Sequence, residues 1–176
     1  QPQVIGAKAA AMAKLGAAPA ARLQNVAVDL RDDWPKALRD SGFDVTQPSA
    51  WSAEGLLMYL PPEAQDRLFD NITELSAPGS RIATEFHGGD YGASLAARAK
   101  DIAGAWQSPD GGFDVDFTEL FYPGERNHVV DYLAERGWQV TVRDRLDVFA
   151  DYGRSWPFQD GMTPLQNSVS VTAIRN

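Results

Sequence analysis

Three short runs of strand-forming residues, "NVAVDL" (25–30), "PSAWSAE" (48–54) and "SRIATEF" (80–86), are separated by helical patterns, and each run carries an acid at or beside its end. This alternation constrains the fold more than any other feature. Strands that follow one another through intervening helices predict a parallel sheet with crossover helices, an α/β architecture. Residues 3–15 are an alanine-rich helical pattern behind Pro2, closed by Gly16. Residues 32–43 predict a short helix with acids in its first turn, ending at Gly42. Residues 61–80 give the clearest helix, with Leu68, Ile72 and Leu75 on one face at spacings of four and three.

The pattern is less regular over 87–123, where 93–106 reads as helical and "QSPDGGFDVDF" as a loop. Residues 124–138 predict another helix, with Val129, Val130 and Leu133 inward and Gly137 at its end. Residues 138–146 and 167–175 alternate as strands, and two such late strands suggest an antiparallel edge on a parallel sheet. A long loop, 147–166, separates them.

At 176 residues the chain is about one domain. Apolar residues at 44% and charged residues at 23% are the balance of a globular protein. The net charge of −8 argues against a nucleic-acid partner, which needs a basic face. The sequence holds no cysteine, which excludes disulfides and zinc–thiolate chemistry and fits a reducing, cytoplasmic setting. Its longest apolar runs are too short to span a membrane, and it opens without a secretory pattern.

In open α/β sheets ligands bind beyond the carboxyl ends of the strands. Asp29, Glu54 and Glu85 fall there. Each alone reads equally as a cap for the following helix. Glu54 is harder to explain that way, since it lies seven residues before Pro61. Gly55 permits close backbone approach, and Leu56, Leu57, Met58 and Tyr59 supply an apolar wall. A carboxylate beside such a wall suits a ligand with a cationic end and a greasy or sulfur-bearing middle.

The segments "VAVDLRDDWPKAL" and "SAEGLLMYLPPEAQDRLFDNITELSAPGSRIATEF", in order and at this distance, resemble the leucine carboxyl methyltransferase family, in particular its actinobacterial branch of S-adenosylmethionine-dependent methyltransferases. The resemblance covers essentially the whole chain. It implies a Rossmann-like class I methyltransferase sheet of order 3-2-1-4-5-7-6 with strand 7 antiparallel. On that template 25–30 is strand 3, 48–54 strand 4, 80–86 strand 5, and the two late strands are 6 and 7. The chain opens at "QPQVI", where members of this branch have just finished strand 2. The resemblance therefore implies that residues 1–176 are the C-terminal portion of one methyltransferase domain, with lid-like insertions at about 87–123 and 147–166. Strands 1 and 2 would belong to a missing N-terminal half, which becomes an expected partner. Two strands would then separate strands 3 and 4, about 14 Å at about 4.8 Å per strand.

Carried over by residue, Asp29 and Leu30 look like adenine contacts of S-adenosylmethionine. Ala53, Glu54 and Gly55 look like contacts to its methionine end. Leu57 and Tyr59 would line the methyl-transfer side, and Tyr59, Phe86, Tyr122 and Trp156 would face a small-molecule substrate. Transfer of a sulfonium methyl needs alignment, and an ionised carboxylate acceptor needs no general base, so no catalytic residue is assigned. The family favours O-methylation of a carboxylate or hydroxyl. A catalytically silent protein of the same fold is the alternative, and a nicotinamide-dependent Rossmann enzyme a weaker one. Glu85, His87 and Asp90 lack the placed triplet of a catalytic zinc site, so no metal is expected. "GRSWP" (153–157) lacks the last glycine of a nucleophile elbow, and "DGGFDVDF" lacks the lysine of a phosphate loop. The aromatics Trp106, Phe117, Phe121 and Phe158 read either as small satellite cores or as parts of lids.

Overall fold

A computed structural model describes residues 2–87, 122, 124–155 and 168–176. They fall into two compact units, Gln1–Val45 and Thr46–Asn176. The expected helix at 93–106, Trp106, Phe117, Phe121, Trp156 and Phe158 lie outside the described residues.

In the first unit, α1 (Pro2–Lys14) buries no residue. Its five alanines between Pro2 and Gly16 support the helix through propensity rather than packing. It closes with Gly16 N–H donating to Ala13 O and Ala17 N–H to Met12 O, the paired bonds of a Schellman end. Helix α2 (Trp34–Asp40) is capped by Asp33, whose side chain accepts from Lys36 N–H at 3.0 Å, and it buries Trp34. The expected strand at 25–30 does not form: these residues join no ladder. A strand exists only through a neighbour's hydrogen bonds, and no described segment offers them here. Instead the run ends in a turn, with Asp32 N–H donating to Asp29 O at 3.0 Å.

The second unit holds a mixed four-stranded sheet. Its strands are β1 (Ala50–Ala53), β2 (Arg81–His87), β3 (Trp138–Asp144) and β4 (Ser168–Arg175), in the order β1-β2-β4-β3. β1 and β2 are parallel, from Ala50 opposite Arg81 to Ala53 opposite Thr84. β4 enters antiparallel between β2 and β3. The late antiparallel strand expected from the alternation is thus interior, and β3 is the edge among the described residues.

Helices α3 (Pro62–Glu74) and α4 (Val129–Glu135) supply the apolar cover for the sheet. Ile82 stands opposite Ala173 and Thr84 opposite Val171, so all four share one face, and all are buried. Leu68, Phe69 and Ile72 of α3 and Val129, Tyr132 and Leu133 of α4 are buried as well. Polar contacts fix the layers. Trp138 Nε1 donates to Thr73 Oγ1 at 2.9 Å, and Trp51 Nε1 donates to Ser76 Oγ at 2.8 Å. Between the helices, Asp70 accepts from the Tyr132 hydroxyl at 3.1 Å and from Arg136 Nε at 2.5 Å. The turn from α4 into β3 needs Gly137: its φ is +81°, and an added Cβ would lie 2.5 Å from an Arg175 nitrogen.

Three boundaries differ from the sequence reading. The helix expected over 61–80 ends at Glu74, because "SAPGS" turns the chain into β2. The helix expected over 124–138 starts only at Val129, since 124–128 is taken up by contacts to the segment after β1. Residues 145–151, expected to finish a strand and open a loop, form α5 (Arg145–Asp151) directly after β3. A two-residue strand period and a short amphipathic turn are hard to separate in "VRDRLDVFAD".

Candidate functional site

β1 and β2 run in parallel, and their pairing ends at Ala53 opposite Thr84, while β2 continues to His87 against β4. One residue beyond the last paired positions stand two acids, Glu54 and Glu85. They have opposite surroundings. Glu54 is exposed. The Glu85 side chain is 14% exposed and lies inside a ring of donors. Gly55 N–H donates to its Oε1 at 2.6 Å. His87 Nε2 lies 3.7 Å from the same oxygen, and an Arg145 Nη lies 3.4 Å from Oε2. Arg145, the first residue of α5, also donates through Nε to Ser168 Oγ at the start of β4. These neighbours, His87 first and then the Gly55 amide, hold the Glu85 carboxyl below its ordinary value against the opposing effect of burial.

Gly55 has φ +63° and open space where a Cβ would be. A glycine is required there for conformation, not for room. The chain then makes a 3₁₀ turn, Leu57–Tyr59, which buries Leu57 and leaves Tyr59 42% exposed. Arg126 binds this turn from the far end of the 87–123 segment. Its guanidinium donates to Leu57 O at 3.1 Å, Leu60 O at 2.6 Å and Tyr122 O at 2.7 Å. Tyr122 N–H reaches Met58 O at 3.4 Å. The chain at Tyr122 therefore runs beside the turn that carries Tyr59, and Tyr122 is also 42% exposed. Phe86 is half-buried, with its ring 4.1 Å from the His128 ring at 51°.

The residues expected at the site are thus partly brought together. Ala53, buried at the end of β1, and Glu54, Gly55, Leu57, Tyr59, Phe86 and Tyr122 belong to one rim, formed by the ends of β1 and β2 and the 122–128 segment. Trp156 lies outside the described residues. Asp29 and Leu30 belong to the first unit. There Leu30 is exposed, and Asp29 is engaged locally. Its Oδ1 accepts from Arg31 N–H at 2.9 Å and Nε at 3.0 Å, and its Oδ2 from an Arg31 Nη at 2.8 Å. The arginine holds this carboxyl far below its usual range. Of about four acceptor positions on a carboxylate, three are filled, which leaves one on Oδ2 for a ligand.

Sequence reasoning missed the residues that organise this rim. Arg126 and Arg145 sit in "GERNH" and "VRDRL", where nothing in composition or spacing separates them from surface arginines. Glu85 was legible as a strand-end acid, but its inward commitment depends on pairing partners distant in the chain. Among the described residues no group of three or more His, Cys, Asp or Glu side chains is placed to hold a metal.

An exposed acid and a positive-φ glycine beyond the end of a parallel strand stand where ligands bind in open α/β sheets. Comparison with known proteins narrows the reading. The family model described as leucine carboxyl methyltransferase matches residues 1–73. A protein of Mycobacterium sp. (strain KMS), provisionally named an S-adenosyl-L-methionine-dependent methyltransferase, is 60% identical over 175 residues, 99% of this chain and 58% of its own length. One of the same provisional description from Mycolicibacterium smegmatis is 56% identical over 180 residues, again 58% of its length. These matches make the chain similar to the leucine carboxyl methyltransferase family over residues 1–73, as the sequence resemblance implied, and the chain spans a little over half the length of these relatives. Among solved structures, the S-adenosylmethionine-dependent methyltransferase SibL in its apo form matches 80% of this chain and 39% of its own, at 17% identity and a TM-score of 0.37. Magnesium protoporphyrin IX methyltransferase from Synechocystis matches 84% and 59%, at 15% identity and a TM-score of 0.32. Likenesses this slight carry no argument. Among the described residues no helix is long and apolar enough to cross a membrane.

Proposed function

We propose that the protein to which this chain contributes is an S-adenosylmethionine-dependent methyltransferase acting on an oxygen of a small carboxylate or hydroxyl substrate. Identity of 60% over nearly the whole chain to proteins carrying that provisional name is the observation that supports it most. In this reading the order β1-β2-β4-β3 is the 4-5-7-6 part of the methyltransferase sheet, residues 25–30 are strand 3, and the N-terminal part that the relatives' greater length accommodates supplies strands 1 and 2. The whole of 1–176 is then the C-terminal portion of one domain, with insertions at about 87–123 and 147–166 over the rim, in a cytoplasmic protein.

The donor set fits the cofactor's methionine end. Glu54 is an exposed carboxylate, able to accept from the ammonium, and Gly55 leaves the adjoining surface open. Ala53 and Leu57 back that surface from the core. Asp29, through its remaining acceptor position, and Leu30 take the adenine, as the family resemblance implies. Tyr59, Phe86, Tyr122 and Trp156 shape the substrate side.

When bound, S-adenosylmethionine supplies an electrophilic methyl on a sulfonium. The chain's own contribution is to hold the amino-acid end with Glu54, to line the site with apolar and aromatic groups, and to exclude water around the acceptor. A carboxylate acceptor arrives ionised, so no base is assigned.

Thermal-shift titration tests the reading, on the chain extended to the length of its relatives. S-adenosylmethionine at about 100 times its dissociation constant stabilises by about 2.7 kcal/mol, a rise of several degrees, while NAD gives none. A shift with NAD alone would support the nicotinamide reading. Binding of S-adenosylmethionine without turnover of any carboxylate or hydroxyl acceptor would support a silent protein.

A further inference from the structure

The geometry points to Glu85 as a positioning residue for the cofactor: its carboxylate holds the Gly55 amide, and so fixes the turn that presents Glu54. The inference rests on the proposed cofactor reading and adds to it the device that orients the ligand-binding acid.

Two carboxylates side by side, one residue past the end of the β1–β2 pairing, repel each other unless one is neutralised. Here the division is clear. Glu85 is turned inward among Gly55 N–H, His87 and Arg145, while Glu54 remains exposed. The 2.6 Å bond from Gly55 N–H is charge-assisted, which places it among the stronger hydrogen bonds. It acts on the one residue of this turn with a positive φ, +63°, directly after Glu54. Fixing the Gly55 amide plane fixes the carbonyl end of Glu54 with it, because the peptide unit between them is planar. Without that bond, the glycine is free to sample a wide range of φ and ψ, and Glu54 moves with it.

The anchor is itself anchored. Arg145 reaches Glu85 from α5 and ties it to Ser168 of β4, so the Glu54 turn is braced, through Glu85, by α5 and β4. Thr84 completes the brace from below, its hydroxyl donating to Ala53 O at 2.9 Å in a buried position. Nothing in this arrangement requires Glu85 to touch the ligand.

Three variants of the chain extended to its relatives' length test this: Glu85→Gln, which keeps an oxygen acceptor for Gly55 N–H, Glu85→Leu, which keeps bulk without one, and Arg145→Lys. Two readouts are needed. The first is amide hydrogen exchange at Gly55 without ligand. It is expected to be slow in the parent and in Glu85→Gln, and accelerated about tenfold or more in Glu85→Leu. The second is calorimetric affinity for S-adenosylhomocysteine. It is expected to fall about tenfold or more in Glu85→Leu and within about threefold in Glu85→Gln, with Arg145→Lys between them. Where methyl transfer is measurable, KM for the cofactor rises in Glu85→Leu while kcat at saturation holds. A role in folding alone would lower the active fraction and leave KM unchanged. Gly55 exchange unaltered by Glu85→Leu overturns the inference, whatever the cofactor. Accelerated exchange with unaltered affinity overturns the link from Glu85 to the ligand. A parent that binds no S-adenosylhomocysteine overturns the cofactor reading and this inference together, and is recognised by the failure of the parent rather than of a variant.

Discussion

Asp29, Glu54 and Glu85 look alike in the sequence and differ in the structure because of what surrounds each carboxyl. Asp29 is saturated on three sides by Arg31, a residue two positions away. Glu85 is committed to partners 30 and 60 residues away. Glu54 is presented to solvent, which is the condition for taking a cationic ligand. Local engagement such as that of Asp29 is visible in "DLRDD", whereas the commitment of Glu85 exists only after β1, β2 and α5 have met. Tyr132 shows the same dependence on surroundings. Burial and the nearby Asp70 carboxylate push its phenol up to about 12. The folded value lies above the unfolded one, so this contribution to stability is fully present below about pH 10 and is lost as pH rises from about 10 to about 12. Absorbance titration of the phenols should therefore show one late component. Tyr132→Phe should remove it and leave the earlier components in place.

At the scale of elements, legibility followed the source of each element's stability. α3 was readable because its apolar positions are periodic and it buries Leu68, Phe69 and Ile72 on that face. β2 and β4 were readable as strands from their alternation and β-branched content. Residues 25–30 have the same composition yet form no strand in this chain, since the ladder that would define one must come from another segment. α5 was missed because it follows β3 without a break, where a strand period and a short amphipathic turn are hard to separate. Packing energetics at this scale are testable in α4. Leu133 is fully buried beside Val129 and Tyr132, so Leu133→Ala should cost about 2–5 kcal/mol in urea unfolding, with m unchanged. Ala134→Ser, at an exposed position of the same helix, should cost less than about 1 kcal/mol.

For the whole molecule, the sheet has β1 and β3 at its ends, and β1 pairs on one side only among the described residues. The likeness to the family was legible because two long motifs stand in order. The acceptor was not, since aromatic residues in long loops carry no periodic signal that names a ligand. The central claim is that Glu54, at the end of β1, grips the cationic end of the cofactor. Titration calorimetry with S-adenosylmethionine tests it most directly, comparing Glu54→Ala with the parent in the chain extended to its relatives' length. Loss of a charge-assisted contact worth about 1.5–3 kcal/mol predicts a Kd raised about tenfold or more, with the unfolding midpoint of the ligand-free protein nearly unchanged. An unaltered Kd in Glu54→Ala would contradict the account.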